Sequence, residues 1–217
     1  MKMKEEGIPT AVVCLFLVAV LAVCSYAQVD TRLQKAYTGT GYAICGSCTV
    51  PKDVSSAVRL APKREPGEPI VLSGTIFKRD GVTPDSGITL FLYQADAGGY
   101  YHRPKEDVFH PRLCGWLRVG KDGRYEIHTV KPSPEVLAAD EPAHIHAQIF
   151  GNGMSEHFLH DFWFAGDERI PEADGERFSR LGSFSPVITL TKGGDGILRG
   201  VRDIKVVPAP PWQTEPE

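Results

Sequence analysis

Pro142-Ala143-His144-Ile145-His146-Ala147-Gln148-Ile149-Phe150 is the stretch whose reading decides the fold. It reads as a strand, in which side chains at i and i+2 share a face. His144 and His146 then face one point while Ile145 faces the other way, and a slip of one residue would exchange them. Two neutral imidazole nitrogens on a stiff backbone make half of a metal site, needing one or two further oxygen or sulfur ligands from elsewhere. The chain has seven histidines, so the spacing alone is equally what coincidence produces, and the surroundings have to decide.

Working outward, short β-rich runs recur at Ile70 to Phe77, Ile88 to Tyr93, Trp116 to Val119, Arg124 to Val130, His144 to Phe150, Phe158 to Phe164, Pro186 to Leu190 and Ile197 to Val207. Asp80-Gly81 and Asp122-Gly123 sit between such runs, and Asp-Gly favours the positive φ of hairpin turns. Helical periodicity is nearly absent; Glu172 to Leu181 is at most a short helix. The expectation is an all-β chain, a β-sandwich over residues 70–207 with short helical turns. Residues 28–69 read as an N-terminal arm carrying Cys45-Gly46-Ser47-Cys48, with the Pro- and charge-rich stretch from Pro51 to Pro69 as a surface linker. Residues 208–217 read as a loosely attached, flexible tail.

Composition sets the bounds. A 217-residue chain that is 42% hydrophobic holds one well-buried domain and is not wholly disordered. A net charge of −3 offers no basic field, which argues against nucleic acid or an anionic surface as partner. Two lysines in Met1 to Lys4, an apolar run from Ala11 to Val23 and the small-x-small Ser25-Tyr26-Ala27 read as a signal peptide over residues 1–27. That run is short for a bilayer span, so the mature protein is expected to be secreted or periplasmic, with no membrane span after cleavage. A lipoprotein reading through Leu21-Ala22-Val23-Cys24 is disfavoured by the bulk of Val23. Signal removal leaves Cys45 and Cys48 to close a short disulfide, with Cys114 as a buried thiol.

Several blocks now stand in one order over roughly residues 70–170. They are Leu92-Tyr93-Gln94-Ala95-Asp96-Ala97-Gly98-Gly99-Tyr100-Tyr101, Asp122-Gly123-Arg124-Tyr125, Thr129-Val130-Lys131-Pro132, Pro142-Ala143-His144-Ile145-His146 and Phe162-Trp163-Phe164-Ala165-Gly166-Asp167. Together they resemble the intradiol ring-cleavage dioxygenases, of the protocatechuate and catechol dioxygenase type. With the export signal and the Cys-x-x-Cys, the chain is most similar to a secreted bacterial branch. The resemblance implies a non-haem Fe(III) cofactor held by two tyrosinates and two histidines, with a small-molecule catechol and O2 as partners. The ring is cleaved between the hydroxyls. The chemistry is coherent: a hard trivalent ion prefers phenolate oxygen and lowers the tyrosine pKa far below its free value of about 10.

Carried over by resemblance, His144 and His146 match the two histidine ligands and Tyr101 the first tyrosine, with Tyr100 as the adjacent alternative. The second tyrosine is not matched. Lys131-Pro132-Ser133-Pro134-Glu135 brings Glu135 to its place, either as a substitute anionic ligand and base or as a solvated loop residue. The arginine expected before the histidine block is Glu141, and the glutamine before the aromatic strand is Asp161. These two acids either orient ligand histidines through ring N–H groups or mark a site without turnover, and they disfavour a carboxylated catechol. The candidate metal ligands are therefore Tyr101, His144, His146 and Glu135, and the candidate catalytic carboxylates Glu135 and Asp161. The runner-up function is a non-catalytic metal- or ligand-binding β-sandwich on the same scaffold.

Other residues have plainer readings. His157 and His160 would face opposite sides of one strand, and His102 and His110 would sit exposed beside a loop. Gly193-Gly194-Asp195-Gly196 reads as a turn before the last strand, and Trp116 and Trp163 as core aromatics.

Overall fold

The computed structural model describes residues 50–101 and 111–207. Two mixed sheets, six strands each, face one another. The first is ordered β1 (Ala57–Arg59), β5 (Arg124–Val130), β2 (Pro69–Phe77), β11 (Leu198–Val201) and β10 (Thr191–Lys192), with β12 (Ile204–Lys205) also on β2. The second is ordered β4 (Leu113–Arg118), β3 (Thr89–Gln94), β6 (His144–Gly151), β8 (Phe162–Phe164) and β9 (Val187–Ile188), with β7 (Met154–Phe158) on β6. A helix, α1 (Glu172–Ser179), and a 3-10 turn at Gly182–Phe184 precede β9. The fold class is the all-β sandwich expected.

Alternation builds the core between the sheets. Leu72, Ile76 and Ile127 from the first sheet meet Leu90, Leu92, Leu117, Ile145, Ala147 and Ile149 from the second, all essentially inaccessible to water. Burying each larger aliphatic side chain contributes about 1.5–3 kcal/mol. The same alternation turns His144 and His146 to the outer face of the second sheet. Trp116 and Trp163, expected in the core, are also on that face and half-buried. Trp116 stacks on Phe91 at 4.7 Å, and Trp163 meets Phe178 of α1 edge-on at 5.8 Å.

The linker reading fails at β1. Ala57–Arg59 pairs parallel with β5, so the sheet begins before the expected boundary at Ile70. Gly115 on β4 leaves the space this requires: a Cβ there would stand 2.7 Å from Val58 and 3.2 Å from Leu60. The Asp-Gly turns have the expected backbone, with φ of 72° at Gly81 and 67° at Gly123. Neither joins hairpin partners, however; each carries the chain from one sheet to the other, β2 to β3 and β4 to β5.

Two runs expected to be single strands are broken. Ile197 to Val207 divides at Arg202-Asp203, and Phe158 to Phe164 divides at Leu159-His160-Asp161. The two breaks meet. Buried Arg202 donates to the carbonyls of His160 (2.9 Å) and Asp161 (3.2 Å) and lies over the Phe162 ring at 4.2 Å. Its own carbonyl accepts from the Tyr125 hydroxyl at 2.5 Å. Gly74 on β2 permits this, since a Cβ there would sit 1.8 Å from the Arg202 carbonyl oxygen. Residues 1–49, with the signal peptide, Cys45 and Cys48, the loop with His102 and His110, and the tail from 208 lie outside the described residues.

Gly74→Ala should therefore destabilise the protein by at least ~2 kcal/mol, since backbone rather than a flexible side chain must move. Gly175→Ala, in α1 with open space around it, should instead be neutral or stabilising by ~0.5–1 kcal/mol. Urea unfolding of both variants measures the contrast, and equal stabilities would contradict it.

Candidate metal centre

Strand β6 supplies the two nitrogens. His144 and His146 Nε2 atoms lie 3.0 Å apart, and His144 is only 5% exposed. Each ring is fixed through its far nitrogen: His144 Nδ1 is 2.6 Å from the Pro142 carbonyl and His146 Nδ1 is 3.0 Å from Asp161 Oδ1. Carbonyl and carboxylate oxygens only accept, so both Nδ1 atoms carry a hydrogen and both Nε2 atoms are turned to the shared point. Tyr93, the cross-strand partner of His146, lies against its ring with centroids 4.4 Å apart. Trp163 is the cross-strand partner of His144.

Two laced loops supply the oxygens. After β3, the Asp96 carboxylate accepts from the N–H groups of Gly98 (2.8 Å) and Tyr100 (3.1 Å) and shapes the turn that ends in Tyr101. Gly99, with φ of 82°, lets the 131–138 segment approach: its Cβ would stand 2.3 Å from the Pro134 carbonyl. Val136 N–H donates to Gly99 O at 3.1 Å, and the Ser133 hydroxyl to Ala97 O at 2.7 Å. The Tyr101 hydroxyl donates to Glu135 Oε1 and lies 2.9 Å from His146 Nε2. Glu135 Oε1 is 3.6 Å from His144 Nε2 and 3.7 Å from His146 Nε2.

These four donors suit a cation. Ligands about 2.0–2.2 Å from one ion stand roughly 3.0–3.5 Å from each other, close to the spacings above. Without an ion, two imidazole nitrogens and a carboxylate oxygen crowd one point, and a second proton on His146 relieves the crowding. The proton distribution shows it: burial opposes a charged His146, yet Asp161 and Glu135 push it up to about 9. The His146 hydrogen bond holds the Glu135 carboxyl below its usual range against the opposing effect of burial, with the Tyr101 hydroxyl helping. Burial, then the Glu135 carboxylate, raises the Tyr101 phenol well above its ordinary value. Phenol, carboxylate and paired imidazoles are the hard and borderline donors a ferric ion takes, and its charge would stand in for the proton on His146.

The structure thus brings Tyr101, Glu135, His144 and His146 together, while Tyr100 points outward at 54% exposure. Asp161 stands behind His146 rather than among the donors, which makes it a positioning residue. Glu141 is exposed, with no hydrogen bond or ion pair to either histidine. His157 and His160 share no ion, because β7 ends at Phe158 and His160 packs on Phe178 of α1 at 5.1 Å. Gly193–Gly196 is the turn between β10 and β11, the penultimate connection rather than the last. Cys114, half-buried opposite Tyr93, has a thiol pushed up to about 11 by burial. A cleft of about 580 Å³ between Lys131–Pro134 and Gly166–Arg169 is lined by none of the four donors.

Sequence reasoning missed three supports. Arg112 forms a bidentate pair with Glu65 (2.8 and 2.6 Å), reaches Asp96 at 3.1 Å, and donates its backbone N–H to Tyr101 O at 2.9 Å. Arg202 fixes the carbonyls beside Asp161. Tyr93 could be found only with the register of β3 on β6.

The class is a two-sheet β-sandwich with an outward-facing Tyr-Glu-His-His cluster that could hold a metal ion. A family described as Dioxygenase matches residues 49–177, and the chain belongs to the intradiol dioxygenase family. It is 29% identical over 119 residues to a protocatechuate 3,4-dioxygenase alpha chain of Burkholderia cepacia, covering 53% of this chain and 59% of that one. It is 31% identical over 111 residues to a 6-chlorohydroxyquinol 1,2-dioxygenase of Cupriavidus pinatubonensis, covering 44% and 40%. The chain thus spans less than two thirds of these relatives' length. The crystal structure of catechol 1,2-dioxygenase from Pseudomonas arvilla C-1 shares the fold, with a TM-score of 0.56, 19% identity and coverage of 82% of this chain and 63% of that one.

Asp161→Asn should weaken metal retention ~10–100-fold, the usual cost of losing a partner behind a ligating histidine. His146→Ala should abolish stoichiometric iron. Metal content after dialysis against a graded chelator checks both, and retention of iron by His146→Ala would exclude this site.

Proposed function

We propose that the protein is an exported non-haem Fe(III) dioxygenase that opens catecholic rings between the two hydroxyls with O2. The convergence of Tyr101, Glu135, His144 and His146 on one point, in a chain of this family, is the observation that carries the reading. Fe(III) is the cofactor, held by those four residues. When bound, it supplies Lewis acidity toward a catecholate and the electron-accepting capacity that makes the ring reactive to O2. Export rests on the reading of residues 1–27. Among the described residues no helix is long and apolar enough to cross a membrane.

The chain's own residues divide the work. His144 and His146 act as neutral donors whose orientation is set from behind by Pro142 O and Asp161. Glu135 Oε1 is the internal base: it already accepts a hydrogen bond from the Tyr101 hydroxyl, and its side chain is 23% exposed and so open to an incoming catechol hydroxyl. A carboxylate held below its usual range is a weak base, so turnover is expected to be slow. Tyr93 backs the His146 ring, and half-buried Trp163 beside His144 offers an aromatic wall to a planar ring. Asp161 and Glu135 both place negative charge beside the donors, so a second anionic group on the substrate is disfavoured.

Oxygen uptake with product identification tests this. The iron-loaded protein should convert simple catechol to a muconate-type diacid, prefer neutral over carboxylated catechols, and be inactive as His146→Ala. Tyr101→Phe should bleach the visible tyrosinate-to-iron band. Catechol binding with a spectral shift but no oxygen consumption would instead assign the chain to ligand binding without turnover, and a carboxylated favourite would refute the charge argument.

A further inference from the structure

Glu135, His144 and His146 have a property that a site of two tyrosines and two histidines does not. They form two imidazoles and one carboxylate on a single face, the donor set associated with divalent iron in non-haem oxygenases. The edges of the triangle are 3.0, 3.6 and 3.7 Å, so one ion can stand about 2 Å from all three, an ordinary metal–ligand distance. These three residues are also the cluster whose ligand atoms lie within 4.8 Å of one another.

We infer that this two-histidine, one-carboxylate face holds a divalent transition-metal ion such as Fe(II) on its own, with Tyr101 required for the ferric state and not for metal retention. The inference rests on the reading of this cluster as a metal centre and concerns which valence its parts select. The two imidazoles are oriented without Tyr101, and so is the backbone that carries Glu135. His144 is set by Pro142 O and His146 by Asp161 Oδ1, while Glu135 is carried by a segment whose Val136 N–H is anchored on Gly99 O. Charge agrees with this division: one carboxylate and two neutral imidazoles leave a divalent ion at a net +1. A trivalent ion reaches that balance only when the phenolate joins. The replacement at Glu135 therefore adds a second, softer oxidation state to what the site can keep.

Two measurements on the full chain decide it. In the first, Co(II) serves as an optical probe for binding to the wild type, Tyr101→Phe, Glu135→Gln and His146→Ala. Tyr101→Phe should bind Co(II) within about threefold of wild type. Glu135→Gln and His146→Ala should lose at least about 100-fold, the upper end of what even an outer hydrogen-bond partner costs. Far-UV circular dichroism verifies that each variant is folded. In the second, iron-loaded wild type is reduced with dithionite under argon and desalted. The visible band should vanish while iron stays with the protein, and air should restore the colour.

Loss of Co(II) in Tyr101→Phe as deep as in His146→Ala, undiminished binding by Glu135→Gln, or release of iron on reduction would each overturn the inference. The ferric band and oxygen uptake would then still stand as separate tests of the dioxygenase reading. Retention of Co(II) without Tyr101 in a protein that consumes no oxygen supports the inference and removes the dioxygenase reading. Failure to bind either valence overturns both.

Discussion

The two-residue period of β6 is the constraint on which the rest of the molecule depends. Ile145, Ala147 and Ile149 point into the core and are completely buried, so the strand cannot slip by one residue without taking three apolar side chains out of it. The same lock presents His144 and His146 outward at a fixed 3.0 Å separation of their Nε2 atoms. Hydrophobic burial on one face thereby preorganises the nitrogens on the other, and the imidazole half of the candidate site comes with the folding of the sandwich rather than against it. The β-branched and aromatic pairing with β3, which sets Tyr93 beside His146, extends this rigidity by one strand.

Preorganisation then passes to the neighbouring strand through a buried charge. Arg202 interrupts the parallel pairing of β11 and β12 with β2, and its guanidinium crosses to the His160 and Asp161 carbonyls of the other sheet. Burial pulls its pKa down to about 10, which still leaves it charged at neutral pH. A cation there is tolerable because carbonyl dipoles and the Phe162 ring face it. By holding the chain out of strand geometry between β7 and β8, it lets the Asp161 side chain turn to His146 Nδ1. A break in one sheet thus orients a histidine of the candidate site in the other.

What the sequence made legible follows from whether the physics is local. The alternation in Arg124–Val130 and around His144 and His146 is a property of the segment itself, and those strands stand where expected. Tyr101 and Glu135 were legible only through resemblance, since nothing within either loop marks it as facing an imidazole. The breaks at Asp161 and Arg202 were hidden because each is stabilised by the other, about forty residues away. Their runs look continuously β-forming in isolation. β1 was hidden for the same reason: Val58 is its single inward residue, and the space it fills is opened by Gly115 on a different sheet. Asp122-Gly123 gave the right φ and the wrong connection, because turn geometry is local and sheet membership is not.

The division between rigid nitrogens and loop-borne oxygens also explains why the departure from the family pattern can occur here. A substitution on β6 would disturb a strand packed on both faces, whereas Glu135 sits in a half-exposed segment held by backbone hydrogen bonds to the Tyr101 turn. Those bonds use Gly99 O and Ser133 and are indifferent to the side chain at 135, so a carboxylate can stand where a phenol is expected without moving the loop. What changes is chemistry rather than architecture. A carboxylate is shorter, accepts from Tyr101 instead of competing with it, and couples the two oxygen donors through one proton. Arg112, bonded at once to Glu65, Asp96 and Tyr101 O, holds the turn that carries the phenol. The sandwich therefore fixes where an ion would sit, and the two loops set which ion and which proton accompany it.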